Sequence, residues 1–211
     1  MKIIAVAVFL LFAGCNSSEP KGQSTKTAED AFSVRPLLIG ESIPDVAVTD
    51  TENNEHSIAE LIKEKPTLII FYRGGWCPFC SAHLLELASL EEDIYELGYQ
   101  ILAISPDQPE FLNQTLEDQD LSYTLLSDSP MEAARAFGVA YREDDETVAG
   151  LKSNGMDIVQ RSGHDHQQLP VPAVYIADTS SKILFQYVNP DYRERISGEI
   201  LLAALKVFHQ E

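Results

Sequence analysis

Basic residues are scarce in this chain. Its 211 residues hold 15 Lys and Arg against 33 Asp and Glu, a formal charge of -18. Phosphate backbones are bound by clustered Lys and Arg, so this balance excludes nucleic acid as a partner and reads as a solubility device. Cysteine is scarce too: Cys15, Cys77 and Cys80 are the three present, too few for a disulfide scaffold. There is no second Cys pair, and the five His are scattered apart from His164-Asp165-His166. A metal site is therefore not expected, since structural zinc takes four such ligands. No stretch reaches the roughly 20 apolar residues that cross a bilayer. No heme, flavin or nucleotide motif is visible, Gly74-Gly75 being too short for a phosphate loop, and no cofactor is expected. What the chain does have is 45% hydrophobic residues, enough for one globular domain with a sizeable core.

The N-terminus is set apart. Met1-Lys2 precedes an apolar run over residues 3–13, closed by Gly14-Cys15, the pattern of a cleaved secretory leader. Leu11-Phe12-Ala13-Gly14-Cys15 resembles a bacterial lipobox, with Phe12 standing where Leu is preferred. The resemblance implies that residues 1–14 are removed as a lipoprotein signal peptide and that Cys15 carries the lipid. Asn16, rather than Asp, points to the outer membrane. The expected location is the periplasmic side of a bacterial cell envelope, reached through an N-terminal lipid anchor. An ordinary leader with an incidental Cys is the plainer alternative. Residues 15–36 are rich in Ser, Thr, Lys, Glu and Gln and read as a flexible tether. The domain proper is expected over 37–211.

Residues 45–49 alternate like a strand, and Asn53-Asn54 marks a turn. Ser57-Ile58-Ala59-Glu60 is a capping box that opens a short helix. Residues 67–72 are a continuous apolar run, as in a central strand covered on both faces. A long helical pattern passes through Leu84, Leu87, Ile94 and Leu97 and stops at Gly98. Residues 101–105 form another apolar strand, and this spacing predicts a right-handed crossover between parallel strands. A helix over 110–117, a strand over 123–126 and a helix over 131–137 follow. The acidic stretch 143–169 reads as an insertion with a helix near 147–152. Strands over 173–177 and 183–188 form a hairpin across Asp178-Thr179-Ser180-Ser181, and a last helix covers 197–208. The fold class is α/β, a central mixed β-sheet flanked by helices on both faces.

Cys77-Pro78-Phe79-Cys80 falls where a buried strand meets a long helix. A helix N-terminus offers unpaired N–H groups and a partial positive charge, and both favour a thiolate. Cysteines so placed titrate at roughly 3.5–7.5 instead of about 8.5. Pro78 suits the first helical turn, where its missing N–H costs nothing. A bridge between residues this close staples almost nothing, so the dithiol is read as redox-active, Cys77 and Cys80 being the catalytic candidates. His83, on the same helix, reads as an exposed side chain.

Residues 71–80, Phe-Tyr-Arg-Gly-Gly-Trp-Cys-Pro-Phe-Cys, resemble the active-site segment of peroxiredoxin-like proteins of the alkyl hydroperoxide reductase and thiol-specific antioxidant (AhpC/TSA) group. Ala103-Ile104-Ser105-Pro106-Asp107, Leu126-Ser127-Asp128, Leu169-Pro170-Val171-Pro172-Ala173 and Tyr187-Val188-Asn189-Pro190-Asp191-Tyr192 are similar to later landmarks. The resemblance implies a thioredoxin-like fold and a cis Val171–Pro172 bond beside the dithiol, although a trans proline opening a strand is also permitted. It implies Arg73, Trp76 and Pro172 as support for the site. It also brings a departure: the family's Pro, Thr and catalytic Cys fall on Arg73, Cys77 and Cys80. That alignment makes Cys80 the peroxide-reducing residue, whereas a thioredoxin alignment makes Cys77 the attacker.

Three functions follow as expectations. The first is a thiol-dependent antioxidant oxidoreductase that reduces a small peroxide through the dithiol and is recycled by an external, thioredoxin-type thiol. The second is an extracytoplasmic protein disulfide reductase. The third is a non-catalytic, lipid-anchored binding module with a vestigial dithiol.

Overall fold

The computed structural model describes residues 26–209. Cys15, the leader over 1–14 and the first part of the tether lie outside the described residues.

The apolar runs become the centre of a sheet. β3 (Thr67–Phe71) and β4 (Gln100–Ser105) pair in parallel, with Thr67 opposite Gln100 and Phe71 opposite Ile104. β5 (Thr124–Ser127) extends the parallel part beyond β4. The hairpin of β8 (Ala173–Ala177) and β9 (Ile183–Val188) adds antiparallel to the other side of β3. β1 (Ala47–Thr49) and β2 (Glu55–Ser57) close the far edge. The result is a seven-stranded mixed sheet in the order β2-β1-β5-β4-β3-β8-β9.

Strand residues alternate between faces, and this splits the core in two. Ile69, Phe71, Ile104 and Tyr175 pack on one face against residues of α1 (Ile58–Glu64) and α5 (Glu132–Ala136). Leu68, Ile70, Tyr72 and Ala103 pack on the other against α2 (Pro78–Ser89), α3 (Glu91–Glu96) and α8 (Gly198–Phe208), with Leu112 of α4 (Pro109–Gln119). Cys77 and Cys80 belong to this second cluster. Helices thus cover both faces of a mixed sheet, the α/β thioredoxin-like class expected.

Several expectations change. The long helix is two helices, α2 and α3, broken at Leu90 (φ -109°, ψ 1°). Glu91, Glu92 and Asp93 fill the first turn of α3, where negative charge favours a fresh helix start over a continuing interior. Residues 26–36 do not hang free. Ala28 donates to Ala140 O at 3.0 Å and accepts from Arg142 N at 3.0 Å, a short 3-10 helix covers Ala31–Ser33, and Val34 is buried.

The stretch 143–169 is not an irregular insertion. β6 (Ala140–Arg142) and β7 (Gln168–Pro170) form a small antiparallel sheet, joined through α6 (Asp145–Ser153) and α7 (Ile158–Ser162). Asp144 and Asp157 cap the two helices through their carboxylates. α6 answers the helix expected near 147–152; it buries no residue fully, its Val148 and Leu151 packing partly buried against the core. Val171–Pro172 is trans, since no cis peptide bond occurs among the described residues. The chain runs extended from β7 into β8, with Val171 N–H on Val139 O at 3.0 Å and Pro172 O on Asn189 N–H at 3.1 Å, and nothing in this path calls for a reversal.

Candidate active site

The dithiol is delivered by a turn that only this local sequence allows. β3 ends at Phe71, and Tyr72 still donates to Ile104 O at 3.0 Å. The chain then reverses at Gly74, whose φ of 141° is open to glycine. A Cβ at Gly74 would lie 2.2 Å from Trp76 Nε1 and 2.9 Å from Asp107 Oδ2. Gly75 donates its N–H to Asp107 Oδ2 at 3.0 Å and accepts from Ser81 Oγ at 2.9 Å. These bonds pin the turn to β4 on one side and to α2 on the other. Cys77 is the N-cap of α2 and Pro78 its first helical residue.

The two sulfurs meet different fields. Cys80 donates its S–H to the Cys77 sulfur, and this bond, with the Cys80 backbone N–H and the charges of Arg73 and Arg195, brings the Cys77 thiol down to about 6 against the opposing effect of burial. The same bond, burial and the nearby Cys77 charge push the Cys80 thiol up. Arg195 counteracts this in part, its Nη2 lying 3.3 Å from Cys80 Sγ. These effects favour the thiolate at Cys77 and the thiol at Cys80. Both cysteines are free, and both are only 1% exposed, so neither is the accessible one that the motif suggests.

Arg73 is buried and charged. It pairs with Glu143 at 3.2 Å and lies between two rings, 4.2 Å from the centroid of Tyr192 and 5.2 Å from that of Trp76. The expected support by Arg73 and Trp76 is thus a single stacked unit, with Tyr192 as its unforeseen third member. Tyr192 also meets Phe79 of the dithiol segment edge to face at 5.7 Å, and both rings are exposed. Pro172 precedes Ala173, which pairs with Phe71, so it sits beside the strand end from which the turn departs. His83 is not exposed: it is 5% accessible, burial and Arg195 hold its imidazole down to about 4, and its Nε2 has no partner. The reason lies in helical spacing, which puts it one turn beyond Cys80 on the inward face.

Sequence reasoning missed Arg195, Tyr192, Glu143 and the buried ion pair of Asp107 with Arg161 (2.8 Å for both bonds). Asp107 and Tyr192 sat inside family landmarks. Arg161 and Arg195 carried no local signal beyond being rare cations in an acidic chain. His164 and His166 stack on each other at 5.7 Å, and among the described residues no group of three or more His, Cys, Asp or Glu can hold a metal ion.

A dithiol at the start of a helix, set on a mixed sheet of this order, is the arrangement of the thioredoxin-like class. The comparisons narrow the class. The model of the AhpC/TSA family matches residues 39–186, and the chain belongs to that family. A putative peroxiredoxin Bcp of Haemophilus influenzae is 32% identical over 106 residues, 50% of this chain and 68% of that protein. Peroxiredoxin Bcp of Escherichia coli is 27% identical over 106 residues, 50% and 67% of the two chains. The crystal structure of reduced Prx3 from Vibrio vulnificus with hydrogen peroxide superposes with a TM-score of 0.66 at 18% identity, over 80% of this chain and 99% of that one. Peroxidoxin BcpB of Mycobacterium tuberculosis gives 0.63 at 19% identity, over 82% and 98%. These two structures speak for the fold. Family membership makes the chain an enzyme, an oxidoreductase of the thiol peroxidase class.

Proposed function

We propose that this protein reduces a small peroxide through a Cys77–Cys80 dithiol/disulfide cycle. The observation that carries the reading is the division of charge between the sulfurs: a thiolate favoured at Cys77 beside a protonated Cys80. The Cys77 thiolate attacks one peroxide oxygen and the O–O bond breaks. The other oxygen leaves with the bonding electrons and takes up a proton as water or alcohol, which leaves Cys77 as the sulfenic acid. The Cys80 sulfur then attacks the Cys77 sulfur. The disulfide forms, and the sulfenic hydroxyl departs as water with the Cys80 proton. An external dithiol of thioredoxin type returns two electrons and two protons. Arg73, held between Trp76 and Tyr192, provides positive charge beside the oxygen that leaves.

Burial of both sulfurs favours a peroxide over a protein disulfide, because a small molecule reaches a buried sulfur with less rearrangement than a second protein chain. The test is the intact mass of the reduced soluble domain after one equivalent of hydrogen peroxide, run beside Cys77→Ser and Cys80→Ser. The wild type is expected to lose two hydrogens, Cys80→Ser to gain one oxygen, and Cys77→Ser to do neither. A wild-type disulfide that forms no faster than in the denatured chain refutes the cycle. The lipid anchor at Cys15 and the envelope location are proposed on the leader sequence alone. Labelling of the full chain with a radioactive fatty acid tests them, and a Cys15→Ser variant that still incorporates label overturns them.

A further inference from the structure

The stretch 143–169 touches the dithiol turn at two points, and the peroxidase cycle uses neither. Glu143, at its start, holds Arg73 at 3.2 Å and accepts from Tyr141 Oη at 2.9 Å. Arg161, on α7, grips the Asp107 carboxylate with both ends of its guanidinium at 2.8 Å. Asp107 is 1% exposed, and its Oδ2, while bound to Arg161, also accepts the Gly75 N–H at 3.0 Å. The contact of α7 with this corner is doubled by Gln108 N–H on Arg161 O at 2.8 Å and by Gln108 Nε2 on Gln160 O at 3.0 Å. The guanidinium of Arg161 also lies 4.3 Å from the Phe111 ring centroid. Two ionic arms from one segment thus reach Arg73 directly and Gly75 through Asp107, the residues on either side of Gly74. A buried ion pair is weak support for stability as such, since an apolar pair often does as well. Two of them, both aimed at one turn, call for another account.

We infer that the segment 143–169 is a two-armed brace that sets the reactivity of Cys77, with Arg161 a positioning residue acting through Asp107 and Gly75, and Glu143 one acting through Arg73. The inference rests on the dithiol being the reactive site. Cys77 faces Cys80 on α2, Arg73 and Arg195 from the adjoining loops, and Tyr141 from β6. Glu143 bears on it through Arg73, and Asp107 through the Gly75 N–H. The two arms carry opposite signs. Arg161 neutralises a carboxylate below the turn. Its loss leaves that anion unpaired on the Gly75 N–H, two residues before Cys77, and loosens the Gly75 anchor, and both changes disfavour the thiolate. Glu143 neutralises part of the Arg73 charge. Its loss leaves Arg73 held by the Trp76 and Tyr192 rings with more of its field on Cys77, which favours the thiolate.

The test is the pH at which reduced Cys77 is half-reactive toward iodoacetamide, read by peptide mass in the wild type, Arg161→Gln, Arg161→Lys and Glu143→Gln. Arg161→Gln is expected to raise that midpoint by about one unit, a tenfold loss of thiolate below it. Arg161→Lys should recover most of the shift. Glu143→Gln should lower the midpoint although it too lowers the melting temperature. A role in stability alone moves the two variants the same way or not at all, and either result overturns the brace. Should Arg161→Gln fail to fold, the double variant Asp107→Asn with Arg161→Gln leaves no lone buried charge. It is expected to fold with a midpoint raised by about half a unit, near threefold less thiolate, and a native midpoint there overturns the brace. A wild type whose own midpoint lies near that of an ordinary thiol sinks the function reading instead, so the two failures are distinguishable.

Discussion

Lowering the Cys77 thiol from 9.0 to about 6 has a consequence that depends strongly on the pH at which it is measured. At pH 7 such a thiol is about 90% ionised, against about 1% for an ordinary one. A less basic thiolate is also a weaker nucleophile, by a Brønsted slope of about 0.4–0.5, so three units cost roughly 15–30-fold per thiolate. The net gain at pH 7 is then only about 3–6-fold. At pH 5 the thiolate ratio is roughly 900-fold and the same cost leaves a gain of about 30–60-fold. The assay is the alkylation rate of each cysteine in the reduced protein from pH 4.5 to 9.5, with the urea-unfolded chain as reference. Burial of both sulfurs slows labelling through a pre-equilibrium opening, which scales the folded rates without moving their midpoint. Cys77 is expected to label with a midpoint near 6, and Cys80 to lag at every pH below 9. A Cys77 midpoint within about one unit of the unfolded value, or earlier labelling of Cys80, refutes the assignment of the thiolate.

The remaining expectations concern the frame around the sulfurs. A Cβ at Gly75 would sit 2.0 Å from Thr115 Oγ1, which is buried and bonded to Phe111 O at 2.9 Å. Gly75→Ala should therefore cost about 1–3 kcal/mol, read as a drop in the urea midpoint, and should slow disulfide formation as well. His83 prefers its neutral form when folded, so its contribution is fully present above the unfolded value of 6.5 and is lost as pH falls toward about 4. His83→Leu should remove an acid-induced loss that is at most about 3 kcal/mol, visible as a flatter urea midpoint between pH 7.5 and 4.5. Asp128 is pushed up to about 7 by burial, against two backbone N–H bonds from Ala133 and Ala134. A carboxyl raised in this way stabilises below its unfolded value of 3.8 and loses that contribution as pH rises through about 7. Asp128→Asn should accordingly be better tolerated at pH 8 than at pH 5 in the same assay. Tyr192→Ala removes one of the two rings against Arg73, and by loosening that charge should raise the alkylation midpoint of Cys77.

The sheet was legible because its central strands are simple objects. Residues 67–72 and 101–105 are apolar without interruption, and only a strand covered on both faces needs such a run. The capping of α1 was equally local, with Ser57 Oγ accepting the Glu60 N–H at 3.1 Å. The break at Leu90 was hidden because the apolar stripe of α2 resumes in α3 at Ile94, and periodicity alone joins the two. α6 was legible as the helix expected near 147–152, whereas α7, only five residues long, is too short to show a hydrophobic period. The site divides the same way. Position and spacing announced the dithiol, whereas Arg195 meets Cys80 across 115 residues of sequence and Arg161 meets Asp107 across 54. No window of local sequence contains such a pair.

The family alignment and the local physics point to different sulfurs, and the geometry explains why both are drawn into one cycle. Cys80 takes the family's catalytic position, yet there it lies inside the first turn of α2 and donates to the sulfur at the helix start. Cys77 takes the place of a hydroxyl residue, and that place is the N-cap, where a partial positive charge is greatest. With a thiol at the N-cap, the favoured anion falls one helical turn before Cys80, and Cys80 is left as donor. Arg195 on Cys80 and Arg73 stacked beside the turn then serve both sulfurs in sequence: positive charge first holds the Cys77 thiolate, and afterwards lowers the cost of ionising Cys80 when it must attack. In the proposed cycle such a dithiol resolves its own sulfenic acid within the site, and the second thiol needs no unfolding of a distant loop to arrive.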